Sequence, residues 1–131
     1  MATPRIDNEA VVCIRGEELA GSVLGRVVGM LAARAQCPID RLDDALLVTD
    51  AVAAHAGDHG DDGAVHVTVS TAADGLALLV GSLREGGASG LVADAQLPGV
   101  GNVLEHMADE VTPGRSPSGD EQLLIRLAFA G

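Results

Sequence analysis

Residues 65–80 read VHVTVSTAADGLALLV, and this stretch decides the fold. Val65, Val67 and Val69 alternate with His66, Thr68 and Ser70, and Leu76, Leu78 and Val80 alternate again after Ala72-Ala73-Asp74-Gly75. A period of two is what a strand with one buried face requires, and Asp-Gly between two such runs predicts a hairpin. An antiparallel pair in mid-chain makes a sheet the organising element, with one apolar face to be covered. His66, Thr68 and Ser70 fall on the opposite face, where polar side chains meet water and need no chemical role.

Upstream, Glu9 to Arg15 (EAVVCIR) is a short β-branched run that reads as an edge strand. Glu17 and Glu18 then open a helix, two carboxylates at the positive end of its dipole. Leu19, Val23, Val27 and Met30 or Leu31 recur at helical spacing and form its expected apolar stripe, which runs to about Gln36. Pro38 interrupts this helix and Asp40 is the expected N-cap of a second, with Leu42, Leu46, Thr49 and Ala53 on one face. The acidic residues Asp40, Asp43 and Asp44 suit that helix start electrostatically. Residues 57–63 (GDHGDDG) read as a polar loop that closes the helix.

Downstream of the hairpin, four glycines between Gly81 and Gly90 predict a flexible loop. Val100, Val103, Leu104 and Met107 are in helical register, so a third long helix is expected from Pro98 to about Asp109. Strands are expected from Glu110 and over Gln122 to Ala128 (QLLIRLA), either side of a Pro, Gly and Ser loop at 113–119. The resulting order predicts an α/β (α+β) two-layer sandwich, a mostly antiparallel sheet with helices on one face, in a single domain spanning 1–131.

Composition narrows the functional classes. The formal charge is −11 with a pI near 4.4, so direct binding to nucleic acid or to an anionic membrane starts from like-charge repulsion, and a basic protein is the better partner. Phe129 is the only aromatic residue, which removes base stacking as a binding mode, and the absence of Lys removes a lysine nucleophile. Cys13 and Cys37 form neither a disulfide framework nor a zinc-type pair, and are expected to be reduced and buried. No stretch of 18 apolar residues and no charged-then-apolar leader is present, so a cytoplasmic location is expected.

Two stretches, Cys37 to Ala53 (CPIDRLDDALLVTDAVA) and Pro98 to Val111 (PGVGNVLEHMADEV), together with the element order from Glu9 to Phe129, resemble the histidine-kinase-like (GHKL, or Bergerat) ATPase superfamily, and within it the RsbW-like anti-sigma factors. In that family the second helix carries a Glu and, four residues on, an Asn. The resemblance places Asp50 at the general-base position and Ala54 at the magnesium-ligand position, where no ligand atom exists. Gly81 stands where the resemblance expects the adenine-reading Asp, a loss of roughly 1.5 to 3 kcal/mol or about ten- to a hundredfold in affinity. Gly99, Gly101 and Asn102 match the family's glycine-containing helix start and are the candidate cofactor-binding residues, although glycines also serve ordinary helix boundaries.

The function implied is a regulatory protein-binding module of the anti-sigma type with weak or no ATP binding and a degenerate ATP site, acting in transcription regulation. Its implied partners are a sigma factor, an anti-anti-sigma (STAS-type) protein and a second copy of itself in a homodimer. The alternative is an active ATP-dependent serine kinase that phosphorylates the anti-anti-sigma partner, with ATP and magnesium as cofactors. No metal site is expected: His55 and His59 are four apart with Asp58, Asp61 and Asp62 nearby, but Gly57 and Gly60 break the helix such a pair needs. Asp50 on its own also reads as an ordinary solvated helix carboxylate, and His106 as incidental.

Overall fold

The computed structural model describes residues 6–130. Strand β1 (Asn8–Ile14) leads into helices α1 (Glu17–Arg34) and α2 (Ile39–His55), and a 3-10 turn (Ala56–His59) leads to the hairpin of β2 (Val65–Ala72) and β3 (Gly75–Leu83). Helix α3 (Gly87–Asp94), the two-residue strands β4 (Gln96–Leu97) and β5 (Gly101–Asn102) and the short helix α4 (Val103–Met107) follow, and β6 (Glu110–Arg115) and β7 (Glu121–Ala128) close the chain. The five longer strands form one sheet in the order β1-β2-β3-β7-β6, every neighbouring pair antiparallel.

The alternation of residues 65–80 does set the two faces. Val65, Val67, Val69, Leu76, Leu78 and Val80 are at most 3% exposed and join Leu123, Ile125 and Leu127 of β7 under the helices. Their neighbours point the other way and stay partly accessible, so the helices cover one face and the other is open. β1 is an edge strand, as its β-branched run predicts. The hairpin turn is Ala73-Asp74, with Gly75 already paired to Ala72. Glycine is required there because a Cβ would stand 2.8 Å from the Leu127 carbonyl oxygen on β7.

Both long helices form where expected, with two local corrections. The buried stripe of α1 is Ala20, Leu24, Val28, Leu31 and Ala32; of the expected set Leu31 is buried, Val23 and Val27 are half-buried against the core, and Leu19 and Met30 are 57% and 59% exposed. This helix is apolar around most of its girth, so spacing does not fix its rotation. Close packing does, since Gly21 turns toward Ala53 of α2. At the start of α2 the cap is Pro38, whose carbonyl accepts the Leu42 N–H at 2.9 Å, and Asp40 lies within the first turn.

Downstream of the hairpin three expectations fail. The supposed loop 81–90 contains the end of β3 and the first half of α3. The supposed long helix from Pro98 to Asp109 is a small β4–β5 hairpin followed by a five-residue helix, because Gly99 and Gly101 adopt φ of 82° and 91°, outside any right-handed helix. The Pro, Gly and Ser loop begins later than expected, since Pro113 to Arg115 belong to β6. Among the described residues, no helix is long and apolar enough to cross a membrane.

Candidate functional site

Asp50 sits on the exposed side of α2, and among the described residues no hydrogen bond or ion pair holds its carboxylate. Ala54, four residues on, presents only a methyl group. Gly99 lies in the turn of the β4–β5 hairpin and Gly101 on β5, where a Cβ would press on the His106 ring at 3.0 Å. Asn102 is 8% exposed and caps α4: its Oδ1 accepts the Glu105 N–H at 3.1 Å, while its Nδ2 donates to the Val92 carbonyl at 2.7 Å. Both ends of this amide are therefore engaged by the fold.

Asn102 lines a cavity of about 470 Å³ between α3, the β4–β5 hairpin, α4 and the inner side of β6. Asp50, Gly99 and Gly101 do not line it. Its floor is apolar, built from Val92, Val111, Pro113 and Leu123, and its rim carries Ser89, Gln96 and Glu105. Among the described residues Glu105 is the one ionisable side chain in the lining, and no arginine lines it. The cavity exists because the helix layer stops short of the sheet edge: β6 is exposed along its length apart from half-buried Val111.

The two helix starts beside this cavity are both occupied by the protein's own oxygens. At α4 the occupant is Asn102. At α3 it is Glu121, whose carboxylate accepts the Ala88 N–H at 2.8 Å and the Gly86 N–H at 2.9 Å from across the sheet. The Ala88 amide, with that of Gly86 and the charge of Arg115, holds the Glu121 carboxyl below the usual range. Arg115 is itself paired with Glu85 at 2.7 Å.

The chain matches no known protein family, and no curated protein matches it. Its chemistry must be judged from its own residues. Gly81 pairs with His66 on the open face of the sheet, away from the helices, and the residue at the end of β3 that does face the helices is Leu83, 3% exposed. Neither supplies a carboxylate to the helical side.

His59 is more constrained than a solvated loop residue. Its Nε2 lies 2.6 Å from the Asp94 carboxylate and its ring is stacked on Gly90, so close that a Cβ there would stand 2.5 Å from the ring. His66 bonds Asp62 at 3.0 and 3.1 Å, and the Ala64 N–H followed by that imidazole draws the Asp62 carboxyl below its usual range. Cys13 is exposed on the open face, contrary to expectation, because β1 turns Val12 and not its neighbour toward the helices. Its Sγ lies 3.9 Å from the same His66 nitrogen that faces Asp62. One nitrogen cannot donate to the carboxylate and also accept the thiol proton, so the three form no nucleophile–base relay. Cys37 is half-buried, and burial pushes its thiol up. Among the described residues no three His, Cys, Asp or Glu side chains converge to hold a metal ion.

Sequence reasoning misses Arg41, Glu121 and Asp94. Arg41 joins α2 to the carboxyl-terminal part of the chain through Asp109 at 2.6 Å and the Ala128 carbonyl at 2.8 Å, and it pairs with Asp44 one turn on in α2 at 2.8 Å. Asp109 and Ala128 are distant from Arg41 in sequence, and no spacing pattern foretells them.

Proposed function

We propose that this chain is a regulatory protein-binding module of the histidine-kinase-like ATPase fold, similar to RsbW-type anti-sigma factors, whose work is protein contact and not nucleotide turnover. The element order, with two helices after an edge strand and an antiparallel sheet covered on one face, supports the resemblance. The observation that carries the functional reading is the cavity beside Asn102, lined among the described residues by one carboxylate and no basic side chain and flanked by two helix starts whose amides Glu121 and Asn102 engage. A triphosphate there would meet a like charge and no guanidinium group among the described lining residues, and the Ala88 and Glu105 backbone N–H groups at the two helix starts are already engaged. Ala54 offers magnesium no ligand.

In this reading the partners are a sigma factor and an anti-anti-sigma protein of the STAS type, the domain acts as a homodimer in the cytoplasm, and nucleic acid is not contacted directly. The net charge of −11 speeds encounter with basic partner surfaces. A thermal shift measurement in millimolar Mg-ATP tests the claim. A ligand at a hundred times its dissociation constant adds about 2.7 kcal/mol, roughly 10 °C for a chain of this size. No shift is expected; a shift of several degrees would establish nucleotide binding and favour the kinase. Calorimetric titration against the sigma factors and STAS-type proteins of the same genome tests the partners, and heat from neither class sinks that assignment.

A further inference from the structure

We infer that the groove between α3 and β6 is a docking site for an extended segment of a basic protein partner, in which an apolar side chain enters the groove and a neighbouring arginine or lysine pairs with Glu105. The inference rests on the protein-binding reading above and names the surface that would do the binding. Val92, Val111, Pro113 and Leu123 give the groove an apolar floor that the helix layer leaves uncovered, and its volume of about 470 Å³ suits a few side chains. Glu105 is exposed on the rim, and no hydrogen bond or ion pair engages its carboxylate among the described residues. The nearest competing cation along β6, Arg115, is neutralised by Glu85.

Charge selects the class of occupant. An anionic ligand would face Glu105 and the overall charge of −11, whereas a basic segment gains from both. Strand addition along β6 is disfavoured, because Pro113 removes a backbone donor from that edge. Docking must then proceed through side chains entering the groove. Leu97 and Val100, 38% and 36% exposed on the adjoining hairpin, extend the apolar surface beside Gln96.

The test uses the whole chain and two peptide probes, acetyl-Leu-Arg-Leu-Arg-amide and its counterpart acetyl-Leu-Glu-Leu-Glu-amide, titrated while backbone amide shifts are followed by NMR. The basic probe is expected to perturb residues 88–96 and 102–113 saturably, and the acidic probe to leave them unchanged. Glu105→Arg turns one attraction into a repulsion and should weaken the basic probe about threefold to tenfold. Ala93→Arg, at an exposed position on the wall, should fill the groove and abolish the response with the fold intact. Equal responses to both probes, perturbations elsewhere on the surface, or indifference to both substitutions would overturn the inference. A response to arginine amide alone, equal to that of the peptide, would make the site one for small amines and also overturn it. Failure of this site leaves the Mg-ATP result untouched, so the two readings fail separately.

Discussion

Replacing Asn102 by alanine removes two bonds at one stroke. The Oδ1 acceptor that caps α4 is lost, at about 1 kcal/mol for a capping side chain. The Nδ2 donor to the Val92 carbonyl is lost as well, about another 1 kcal/mol for a hydrogen bond whose partner has little water to replace it. The site is 8% exposed, so solvent restores little of either, and the expected destabilisation is about 2 kcal/mol. With an unfolding entropy of about 0.28 kcal/mol/K for a chain this long, Tm should fall by about 7 °C. Asn102→Ser keeps an oxygen for the cap and loses the amide donor, so it should fall about half as far. Scanning calorimetry on the parent and both variants measures this. An alanine variant within about 2 °C of the parent would refute the claim that the amide is fully engaged by the fold, and would free Asn102 to be reconsidered as a ligand residue.

Among the described residues the Thr71 hydroxyl is buried without a partner, at 2% exposure, so Thr71→Val should stabilise by about 1 kcal/mol and raise Tm by 3 to 4 °C; a fall would count against an unpartnered hydroxyl. Gln36 closes α1 with φ of 58°, and Gln36→Gly should gain roughly 0.5 to 1 kcal/mol, read from the urea midpoint at unchanged m; no gain would count against strain at that residue. Glu121 and Asp62 have folded-state carboxyls below their ordinary ranges, so their contribution is complete above the unfolded pKa and is lost as pH falls through the folded one. Glu121→Gln should therefore lower Tm at pH 7 and converge on the parent as pH drops from about 5 toward 3, whereas parallel Tm curves would show that Glu121 is not held ionised by α3.

Legibility from sequence followed the range of the interactions. The hairpin was readable because strict alternation in Val65 to Val80 is a local property that the packed sheet merely ratifies. Helix α3 was not, because its glycines argue against it locally and its support is remote: Glu121 caps it from 33 residues away, and Gly87 and Gly90 are where they are because a Cβ would strike His59. The opposite error at Pro98 to Asp109 had a visible remedy. Gly99 and Gly101 before Asn102, with Glu105 three residues later, spell a turn followed by a capped helix start, and the apolar spacing of Val100 and Val103 outweighed it wrongly. At the candidate site, the residue types were readable and their convergence was not. Asn102 reaches a cavity, while Asp50 stands apart on the solvent side of α2.

A helix start that binds an anion must leave backbone N–H groups free until the anion arrives, and those free donors destabilise the empty protein. Here they are satisfied in advance. Glu121 supplies α3 with the negative charge a phosphate would bring, and Asn102 supplies α4 with an oxygen. Displacing Glu121 would not convert the groove into a phosphate site, because the carboxylate would remain tethered close by and Glu105 would still face the cavity. Among the described residues the one ionisable group lining the groove is the Glu105 carboxylate, so the charge the cavity itself presents is negative. A groove whose neighbouring helix starts are engaged by Glu121 and Asn102, and whose rim presents the Glu105 carboxylate, favours a cationic side chain over an anionic ligand, which is the charge preference behind the proposed basic partner.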